Sequence, residues 1–350
     1  MKQKIKVETG WNMLSKILKF LIYLLCIFSL SYGKVKALFI FSYTLDEPNV
    51  YKQYKGSLKA LKDFGFEIKA KAIELDYRHL PKEEFQKKVK KAIEEIQKYK
   101  PQVVFLYDDP AFSYLLPYVK DKNYYVIFSG INKNIELYNR KYNLFDKNGH
   151  PLSNIIGVLE PLFINEIIAT GIYTFGDAKE YPFLVSNDIT GQSVLSEALL
   201  YLKDNPKFLK KTSIYTFSEL RDYISFLESL NKDKNNKYII HAVFKLKKEK
   251  NKYAGVKELI NETLKHYFKP TLGVANSWVK LGLTLGVSCD FYDMGYKAGK
   301  LASNLLQGYP IFFFKFQKED KKELVINRRS FRKLNKKLPL GLIFASDEIY

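Results

Sequence analysis

Cysteine is scarce in this sequence, which has two among 350 residues. Cys26 lies in an apolar segment near the amino terminus that we expect to be removed, so Cys289 has no partner and a disulfide framework is excluded. The same shortage excludes structural zinc sites built from four cysteines, or from a cysteine pair and a histidine pair. The four histidines are also far apart: His79, His150, His241 and His266. We expect neither a metal site nor a cofactor.

Long apolar runs are also scarce. The single candidate, residues 20–30, is about half as long as the roughly 20 residues that a membrane-spanning helix needs. Lysines precede it, and small residues follow at the positions that a signal peptidase reads. This pattern predicts a signal peptide over residues 1–33, with Met13 as an alternative start, and a protein exported to the periplasm or another extracytoplasmic compartment. An uncleaved leader that anchors the protein is the alternative.

Catalytic motifs are missing as well. The sequence contains no Gly-x-Ser-x-Gly elbow, no His-Glu-x-x-His pair and no phosphate-binding Gly-x-x-x-x-Gly-Lys loop. Cys289 lies between a predicted strand and a predicted helix, where a small buried apolar residue is the default interpretation. His241 lies within an apolar strand, which is typical of a core histidine. These observations predict a protein that is not an enzyme.

Positive charge is abundant, since 57 Lys and Arg residues against 37 Asp and Glu residues give a formal net charge of +20. Such a surplus can indicate nucleic-acid or membrane binding. In residues 82–98, however, glutamates precede lysines at a spacing of four, which is typical of a solvated helix surface. No nucleic-acid motif accompanies the charge. We therefore expect no nucleic-acid partner.

Short apolar segments alternate with amphipathic ones along the rest of the chain. Apolar strands separated by helices predict an α/β fold with parallel sheets covered on both faces. The alternation restarts near residue 181, so two successive units of similar size are expected. The predicted strands span residues 36–41, 66–73, 103–107, 124–128, 155–158, 181–185, 212–216, 238–244, 271–275, 283–287 and 323–327.

Two doubly wound parallel-sheet lobes joined by crossover hinge strands are the predicted architecture. The N-terminal lobe is expected to comprise residues 34–159 and about 282–316, and the C-terminal lobe residues 160–281 and about 317–350. Parallel sheets bind ligands at the carboxyl ends of their strands. A cleft lined by the strand ends of both lobes suits a protein that closes over a small ligand about a hinge.

Polar residues follow the predicted strands of the N-terminal lobe. Pro110 suits the first position of a helix, which makes Asp109 the predicted N-cap and leaves Asp108 at the strand tip, pointing into the cleft. A carboxylate there can bind a ligand ammonium group. Hydroxyl and amide groups near helix starts can receive an anion, although turn chemistry explains them equally. These candidates are Ser42, Tyr43, Ser129 and Asn132.

Candidates in the C-terminal lobe also follow strands. Asn187 and Asp188 lie between a strand and a helix, which Asp188 alternatively caps. Asn276 and Trp278 follow the last strand of the second unit, where the indole either walls the cleft or lies in the core. Asp290, which lies in the part of the chain assigned to the N-terminal lobe, is best explained as the cap of its helix, yet it also faces the cleft.

Several segments together resemble the type I periplasmic binding proteins, specifically the ABC transporter substrate-binding protein family. The likeness extends from about residue 36 to about residue 348. The first ligand loop, residues 42–50, departs from the family because it lacks an aromatic residue late in the loop. The matching segments are 105–111 (FLYDDPA), 126–132 (VIFSGIN), 186–193 (SNDITGQS), 286–299 (GVSCDFYDMGYKAG), 324–327 (LVIN) and 333–339 (KLNKKLP).

The resemblance implies an exported solute-binding protein that captures a small polar ligand, such as an amino acid, and delivers it to an ABC transporter permease. Ser42, Ser129 and nearby N–H groups would hold the ligand carboxylate, and Asp108 or Asp109 its amine. A monomer is expected, with membrane contact only through the permease or an uncleaved leader. The alternatives are a ligand-sensing module for a signalling receptor and an exported hydrolase.

Overall fold

The computed structural model describes residues 34–350, so the predicted signal peptide and Met13 lie outside the described residues. Two large sheets, each covered by helices on both faces, make up the described chain. Within residues 34–350, no helix combines the length and the apolar character that crossing a bilayer requires.

The first sheet has six strands in the order β13-β5-β4-β3-β1-β2, and all neighbours are parallel. This sheet and the helices that pack on it are called the first lobe below. Its strands are β1 (Val35–Phe41), β2 (Ile68–Glu74), β3 (Val103–Tyr107), β4 (Tyr125–Ile131), β5 (Ile155–Leu159) and β13 (Gln317–Lys318).

The second sheet has seven strands in the order β15-β14-β12-β11-β8-β6-β7, parallel except where β14 pairs with β12. This sheet and its helices are called the second lobe. Its strands are β6 (Tyr181–Ser186), β7 (Thr212–Phe217), β8 (Ile239–Ala242), β11 (Thr271–Gly273), β12 (Leu285–Cys289), β14 (Lys322–Ile326) and β15 (Glu348–Ile349). A separate hairpin consists of β9 (Leu246–Glu249) and β10 (Lys252–Ala254).

The helices of the first lobe cover both faces of its sheet. They are α1 (Pro48–Asp63), α2 (Lys82–Tyr99), α3 (Asp108–Val119), α4 (Ile135–Tyr142) and α11 (Phe291–Leu306). Those of the second lobe are α5 (Ile164–Phe175), α6 (Ile189–Lys203), α7 (Pro206–Lys211), α8 (Leu220–Lys232), α9 (Val256–His266), α10 (Asn276–Leu281), α12 (Arg328–Lys333) and α13 (Leu340–Ala345). The predicted fold class is confirmed.

Alternation of side chains along the central strands explains why both faces of each sheet are buried. In β1, Leu38 and Ile40 pack into one core of the first lobe, whereas Phe39 and Phe41 pack into the core on the opposite face. Because successive residues of a strand point to opposite faces, a strand that is apolar throughout needs a helix layer on each side. The predicted strands are therefore confirmed to within a few residues.

Helices α1 and α11 approach each other backbone to backbone. A Cβ atom at Gly56 would lie 2.1 Å from the carbonyl oxygen of Tyr292, and one at Gly295 would lie 2.0 Å from that of Gln53. Only glycine permits this spacing, and it brings α11, which follows a strand of the second sheet, onto the first lobe. This contact therefore fixes the position of the segment by which the chain passes from β12 in the second sheet to α11 on the first lobe.

Two strands lie in a different lobe from the one predicted. β12, assigned to the N-terminal lobe by its position after residue 282, pairs with β11 and β14 in the second sheet. β13, assigned to the C-terminal lobe, pairs with β5 in the first sheet. The reason is that pairing between segments that are distant in the sequence decides which sheet each strand joins, and local patterns do not encode that pairing. The chain thus changes lobes after β5, after β12 and after β13, while the other lobe boundaries stay predictions.

Candidate functional site

The carboxyl ends of the parallel strands in both lobes face a common interlobe region, which contains a small inner cavity. Its volume is about 50 Å³, and both lobes contribute to its wall. Polar residues that follow β1, β2, β3, β4 and β5 supply the wall on the first-lobe side. In chain order they are Tyr43, Arg78, Asp108, Asn132 and Glu160.

Arg78 supplies the positive charge of the inner cavity. Its guanidinium carbon lies 3.8 Å from the ring centroid of Tyr43 and 5.7 Å from that of Phe244 in the second lobe. The side chain is 9% exposed and forms an ion pair with Glu47. Its Nε is buried without a hydrogen-bond partner, as is Oε1 of Glu47. The guanidinium group thus retains unused donor capacity beside the cavity.

Asp108 occupies an unusual backbone position at the junction of β3 and α3. Its φ of 66° lies in the left-handed region, which favours glycine, asparagine and aspartate. Gln53 donates to Oδ1 over 3.4 Å, whereas Oδ2 is buried without a partner. Burial raises the pKa of Asp108 to about 7, against the opposing effect of Arg78. A partner with positive charge would therefore stabilise the ionised carboxylate.

Glu160 adds a second acid, because it follows β5 directly. Burial, and then the charge of Asp108, hold the pKa of Glu160 well above its usual value. Asn132 donates through Nδ2 to the backbone oxygen of Glu160 over 3.0 Å. Glu47, Asp108 and Glu160 thus face a single lining cation, Arg78. The described lining carries more acidic than basic groups, which suits a ligand with an ammonium group.

Asp109 is not the N-cap of α3, so that prediction is wrong. The helix begins one residue earlier, at Asp108, with Tyr107 in the capping position. The Asp109 carboxylate instead accepts hydrogen bonds from the backbone N–H groups of Asn132 and Lys133, each at 3.1 Å. Burial raises the pKa of Asp109 to about 6. It therefore stabilises the loop that follows β4 rather than lining the cavity.

Aromatic side chains form the second-lobe wall of the inner cavity. Trp278 is 3% exposed, and its ring centroid lies 5.0 Å from that of Phe244 and 5.3 Å from that of His241. The indole is therefore both a core residue and a cavity wall. Burial lowers the pKa of His241 to about 3, so this histidine is neutral, as its strand context predicts.

Direct contacts hold the two lobes together around the cavity. Tyr43 and Thr190 share a hydroxyl–hydroxyl hydrogen bond of 2.7 Å. The backbone N–H of Ile189 donates to the Tyr77 hydroxyl over 3.1 Å. Nζ of Lys245 donates to the carbonyl oxygens of Tyr77 and Leu80. The two lobes are thus in direct contact around the inner cavity, which is a closed arrangement.

A wider outer groove of about 760 Å³ also separates the lobes. Asn187 and Asp188 line this groove rather than the inner cavity. Asp188 accepts from the backbone N–H groups of Thr190 and Gly191 at 3.3 and 3.2 Å, so it caps α6. This confirms the capping interpretation of Asp188.

Two predicted serine contacts belong to the scaffold instead. Ser42 donates to the Tyr107 carbonyl oxygen over 2.6 Å and accepts from the Ala111 N–H over 2.8 Å. Ser129 donates to Oε1 of Gln53 over 3.0 Å. Because neither serine lines the inner cavity or the outer groove, the structure does not bring them to the place where a ligand carboxylate would lie.

Two further candidates in the second half of the chain have protein partners. Asp290 accepts from the N–H groups of Tyr292 and Asp293 and caps α11, as predicted, while forming an ion pair with Lys321. Asn276 donates to Glu323 over 3.0 Å, and its Oδ1 is buried without a partner. Neither residue lines the inner cavity.

Sequence reasoning missed several lining residues, notably Arg78, Glu160, Gln53 and Phe244. A signal existed for Arg78, because only six of the 57 basic residues are arginines and this one follows a strand. Glu160 follows β5 in the same way. Both residues lie in the loops that follow the predicted strands 66–73 and 155–158, so a survey of the polar residues of those loops would have found Arg78 and Glu160.

Comparison with known proteins agrees with this architecture. The profile of the family described as "ABC transporter substrate binding protein" matches residues 41–348. No curated protein matches the chain.

Solved structures similar to the chain share its fold. An ABC domain in complex with L-Trp from Streptococcus pneumoniae is 16% identical, with a TM-score of 0.71 over 91% of this chain and 100% of that one. A conserved domain protein from Vibrio cholerae O1 biovar El Tor is 15% identical, with a TM-score of 0.70 over 91% and 100%. LsrB from Clostridium saccharobutylicum in complex with AI-2 is 14% identical, with a TM-score of 0.54 over 87% and 100%. This is the type I periplasmic binding protein fold.

Proposed function

We propose, on the premise that the chain belongs to the ABC transporter substrate-binding protein family, that it is an exported solute-binding protein for an ABC importer. In this proposal a small ligand enters between the lobes, and the closed complex delivers it to the transporter permease. Binding requires no bond-making chemistry. The family supports a solute-binding role, whereas the export, the permease and the identity of the ligand are parts of the proposal.

The observation that carries the proposal is the arrangement of charges in the inner cavity. Arg78 and Asp108 present opposite charges from the same wall, and both have buried polar atoms without partners. Phe244 and Trp278 face them from the second lobe. A ligand held there contacts both lobes at once, so its binding stabilises the closed arrangement relative to an open one.

A small zwitterion such as an amino acid fits these groups. Its carboxylate would pair with the planar guanidinium of Arg78, beside or in place of Glu47. Its ammonium group would bind the carboxylate of Asp108, because the cavity lining carries more acidic than basic side chains. The L-Trp complex of the Streptococcus pneumoniae domain supports an amino-acid ligand. Arg78 thereby takes the role first expected for Ser42 and Ser129.

The size of the cavity indicates that the ligand must displace protein side chains. A volume of about 50 Å³ is far below the roughly 300–1,000 Å³ of a typical pocket for a small ligand. Arg78 and Phe244 fill the space between the walls, 5.7 Å apart. Ligand entry therefore needs separation of the lobes followed by closure around the ligand.

Calorimetric titration with a panel of the twenty L-amino acids tests this function. Wild-type protein is expected to bind at least one of them. Asp108→Asn and Arg78→Gln should each weaken that binding by roughly 30-fold or more, since breaking a buried charge pair costs about 2–5 kcal/mol. Asn keeps the left-handed backbone at position 108 accessible.

Matched controls are available on α8. Arg221 and Asp222 are exposed on the second lobe, so Arg221→Gln and Asp222→Asn should bind like the wild type. A flat panel would remove the amino-acid class. Binding that survives both site substitutions would remove the assigned roles of Arg78 and Asp108. Amino-terminal sequencing of protein from cells tests export, because cleavage should leave Lys34 as the first residue.

A further inference from the structure

The end of the chain carries a dense run of positive charge. All six cations of residues 328–337 are exposed: Arg328, Arg329, Arg332, Lys333, Lys336 and Lys337. The sequence has no acidic residue between Glu323 and Asp347. Within residues 34–350, none of these six side chains takes part in an ion pair, whereas lysines such as Lys59 and Lys87 have acidic neighbours on their own helices. This charge is therefore not compensated locally.

Large apolar side chains lie beside this run, on helix α13. Leu340 is 71% exposed and Phe344 is 86% exposed, and their spacing of four residues places them on one face of the helix. Leu342 is 3% exposed and packs into the core of the second lobe, which holds the helix in place. The helix thus presents an apolar face to solvent, which is unusual without a partner.

A hollow of about 490 Å³ next to α12 continues the basic surface. Arg329, Lys333 and Lys280 contribute to its wall, and no Asp or Glu lines it within the described chain. Phe268, which is 69% exposed, lies at the same hollow. Thr284 and Ser330, which also line the hollow, form a hydrogen bond with each other over 3.0 Å. The cations suit a phosphate group, and the neighbouring aromatic ring suits an apolar chain.

We propose that this surface, called the basic face and defined by Arg329, Arg332, Lys333, Lys336 and Lys337 with Leu340 and Phe344, docks on an anionic phospholipid membrane. Clustered Lys and Arg residues attract anionic headgroups, and adjacent Phe and Leu side chains insert at the boundary between headgroups and acyl chains. Exposed Leu and Phe favour a lipid partner over a nucleic acid, which binds through phosphate contacts and stacking. The occupant is thus the membrane surface itself.

The position of the basic face leaves the ligand cleft free. α12 follows β14, which is antiparallel to β12, with Ile326 opposite Leu285 at the beginning of β12. The inner cavity lies at the other edge of the sheet, beyond the carboxyl ends of the parallel strands. Docking through the basic face would therefore hold the protein at a membrane without blocking ligand entry. This inference does not depend on the identity of the ligand or on transport.

Co-sedimentation of the purified full chain with lipid vesicles tests the proposal. Vesicles of phosphatidylcholine with phosphatidylglycerol should bind the protein more tightly than vesicles of phosphatidylcholine alone, and salt should weaken the difference. The leader also carries lysines, so the basic face is isolated by comparing the wild type with variants that keep the same leader. The triple variant Arg332→Gln, Lys336→Gln, Lys337→Gln should lose roughly tenfold or more in affinity for the anionic vesicles.

Two further variants make the test specific. Lys87→Gln, Lys90→Gln, Lys91→Gln removes the same charge from exposed positions of α2 and should leave vesicle binding unchanged. Leu340→Ser, Phe344→Ser should weaken binding without changing its dependence on salt. Circular dichroism and thermal melting establish that each variant is folded.

Three outcomes would overturn the proposal. The first is equal binding of the wild type to both kinds of vesicle, or to neither. The second is an equal loss of vesicle affinity in the α2 triple variant and the basic-face triple variant, which would indicate that binding depends on net charge alone. The third is a basic-face triple variant that loses affinity for a single-stranded oligonucleotide while its vesicle binding is unchanged, which would indicate a nucleic-acid surface.

Discussion

The ammonium group of Lys245, from the second lobe, donates a hydrogen bond to the backbone carbonyl oxygen of Tyr77 in the first lobe over 2.6 Å. The same Nζ donates to the Leu80 carbonyl oxygen over 2.5 Å and lies 4.5 and 4.3 Å from the ring centroids of Tyr77 and Tyr253. A buried cation is stable only where it is paired or hydrogen-bonded. The two carbonyl groups and the Tyr77 ring belong to the first lobe, so they complete that environment only while the lobes are closed.

Replacing Lys245 with Met should therefore loosen the closed arrangement. Met has an unbranched side chain like that of Lys but cannot donate a hydrogen bond. The carbonyl groups of Tyr77 and Leu80 therefore lose their partner from the second lobe. The backbone N–H of Ile189, which donates to the Tyr77 hydroxyl, should then exchange with deuterium faster. Hydrogen–deuterium exchange of the peptide that contains Ile189 measures the effect.

Lys247→Met is the matched control for that experiment. Lys247 lies two residues away and pairs with Glu219, which belongs to the same lobe. Its loss should leave exchange at Ile189 unchanged. Equal acceleration in both variants would contradict the role assigned to Lys245.

Asp108→Asn should make the protein more stable at pH 8 than the wild type. Burial raises the pKa of Asp108 to about 7 in the folded protein, whereas an unfolded aspartate has a pKa of about 3.9. The folded state therefore binds the proton more tightly, and wild-type stability falls as the pH rises through about 7. Asn does not titrate, so the variant should gain about 2–4 kcal/mol relative to the wild type between pH 4 and pH 8.

Thermal melting at several pH values checks this prediction. Asp109 and Glu160 titrate in both proteins, so the difference between the melting curves reports the titration of Asp108 together with its effect on the pKa of Glu160. The exposed variant Asp222→Asn should show no such difference. If the stabilities of Asp108→Asn and the wild type depend on pH in the same way, burial does not raise the pKa of Asp108 in the folded protein.

Gly295→Ala should destabilise the packing of α11 on α1. A Cβ atom there would lie 2.0 Å from the carbonyl oxygen of Gln53, so the two helix backbones must separate. Overpacking of this kind costs about 1–3 kcal/mol. Chemical denaturation measures the loss, and Lys300→Ala on the exposed side of the same helix should stay within about 0.5 kcal/mol of the wild type. Two equally stable variants would show that the helices are not in such close contact.

Trp278 should report ligand binding through its fluorescence. It is the only tryptophan between residues 34 and 350, and its indole forms part of the inner cavity wall. A ligand that displaces Arg78 or Phe244 changes the surroundings of this ring, so the emission should shift during a titration. Trp278→Phe should abolish the shift while calorimetry still detects binding. A shift that persists in this variant would place the ligand elsewhere.

The strands could be predicted from the sequence because the physical signal is local. Segments such as 103–107 are apolar throughout, and only a doubly covered parallel sheet buries such a strand on both faces. The hairpin of β9 and β10 gave no such signal, because residues 246–254 are rich in lysine. The lobe membership of β12 and β13 depends on pairing between distant segments, which local patterns do not encode.

The candidate site was predicted only in part for a similar reason. Strand ends locate the cleft, and Tyr43, Asp108, Asn132 and Trp278 do line its inner cavity. Whether a polar side chain faces the cavity or the scaffold depends on the local backbone. The left-handed conformation of Asp108 starts α3 one residue early and turns Asp109 toward the loop after β4, and residue types alone do not reveal this.

Small-angle X-ray scattering, with and without the amino acid that binds most tightly in the calorimetric panel, tests most directly whether the protein works by closing two lobes on a ligand. Protein stripped of ligand by unfolding and refolding should show a larger radius of gyration than the structure described here. Saturating ligand should reduce that radius to the value calculated from the closed structure. A ligand that binds by calorimetry and leaves the scattering curve unchanged would contradict the account.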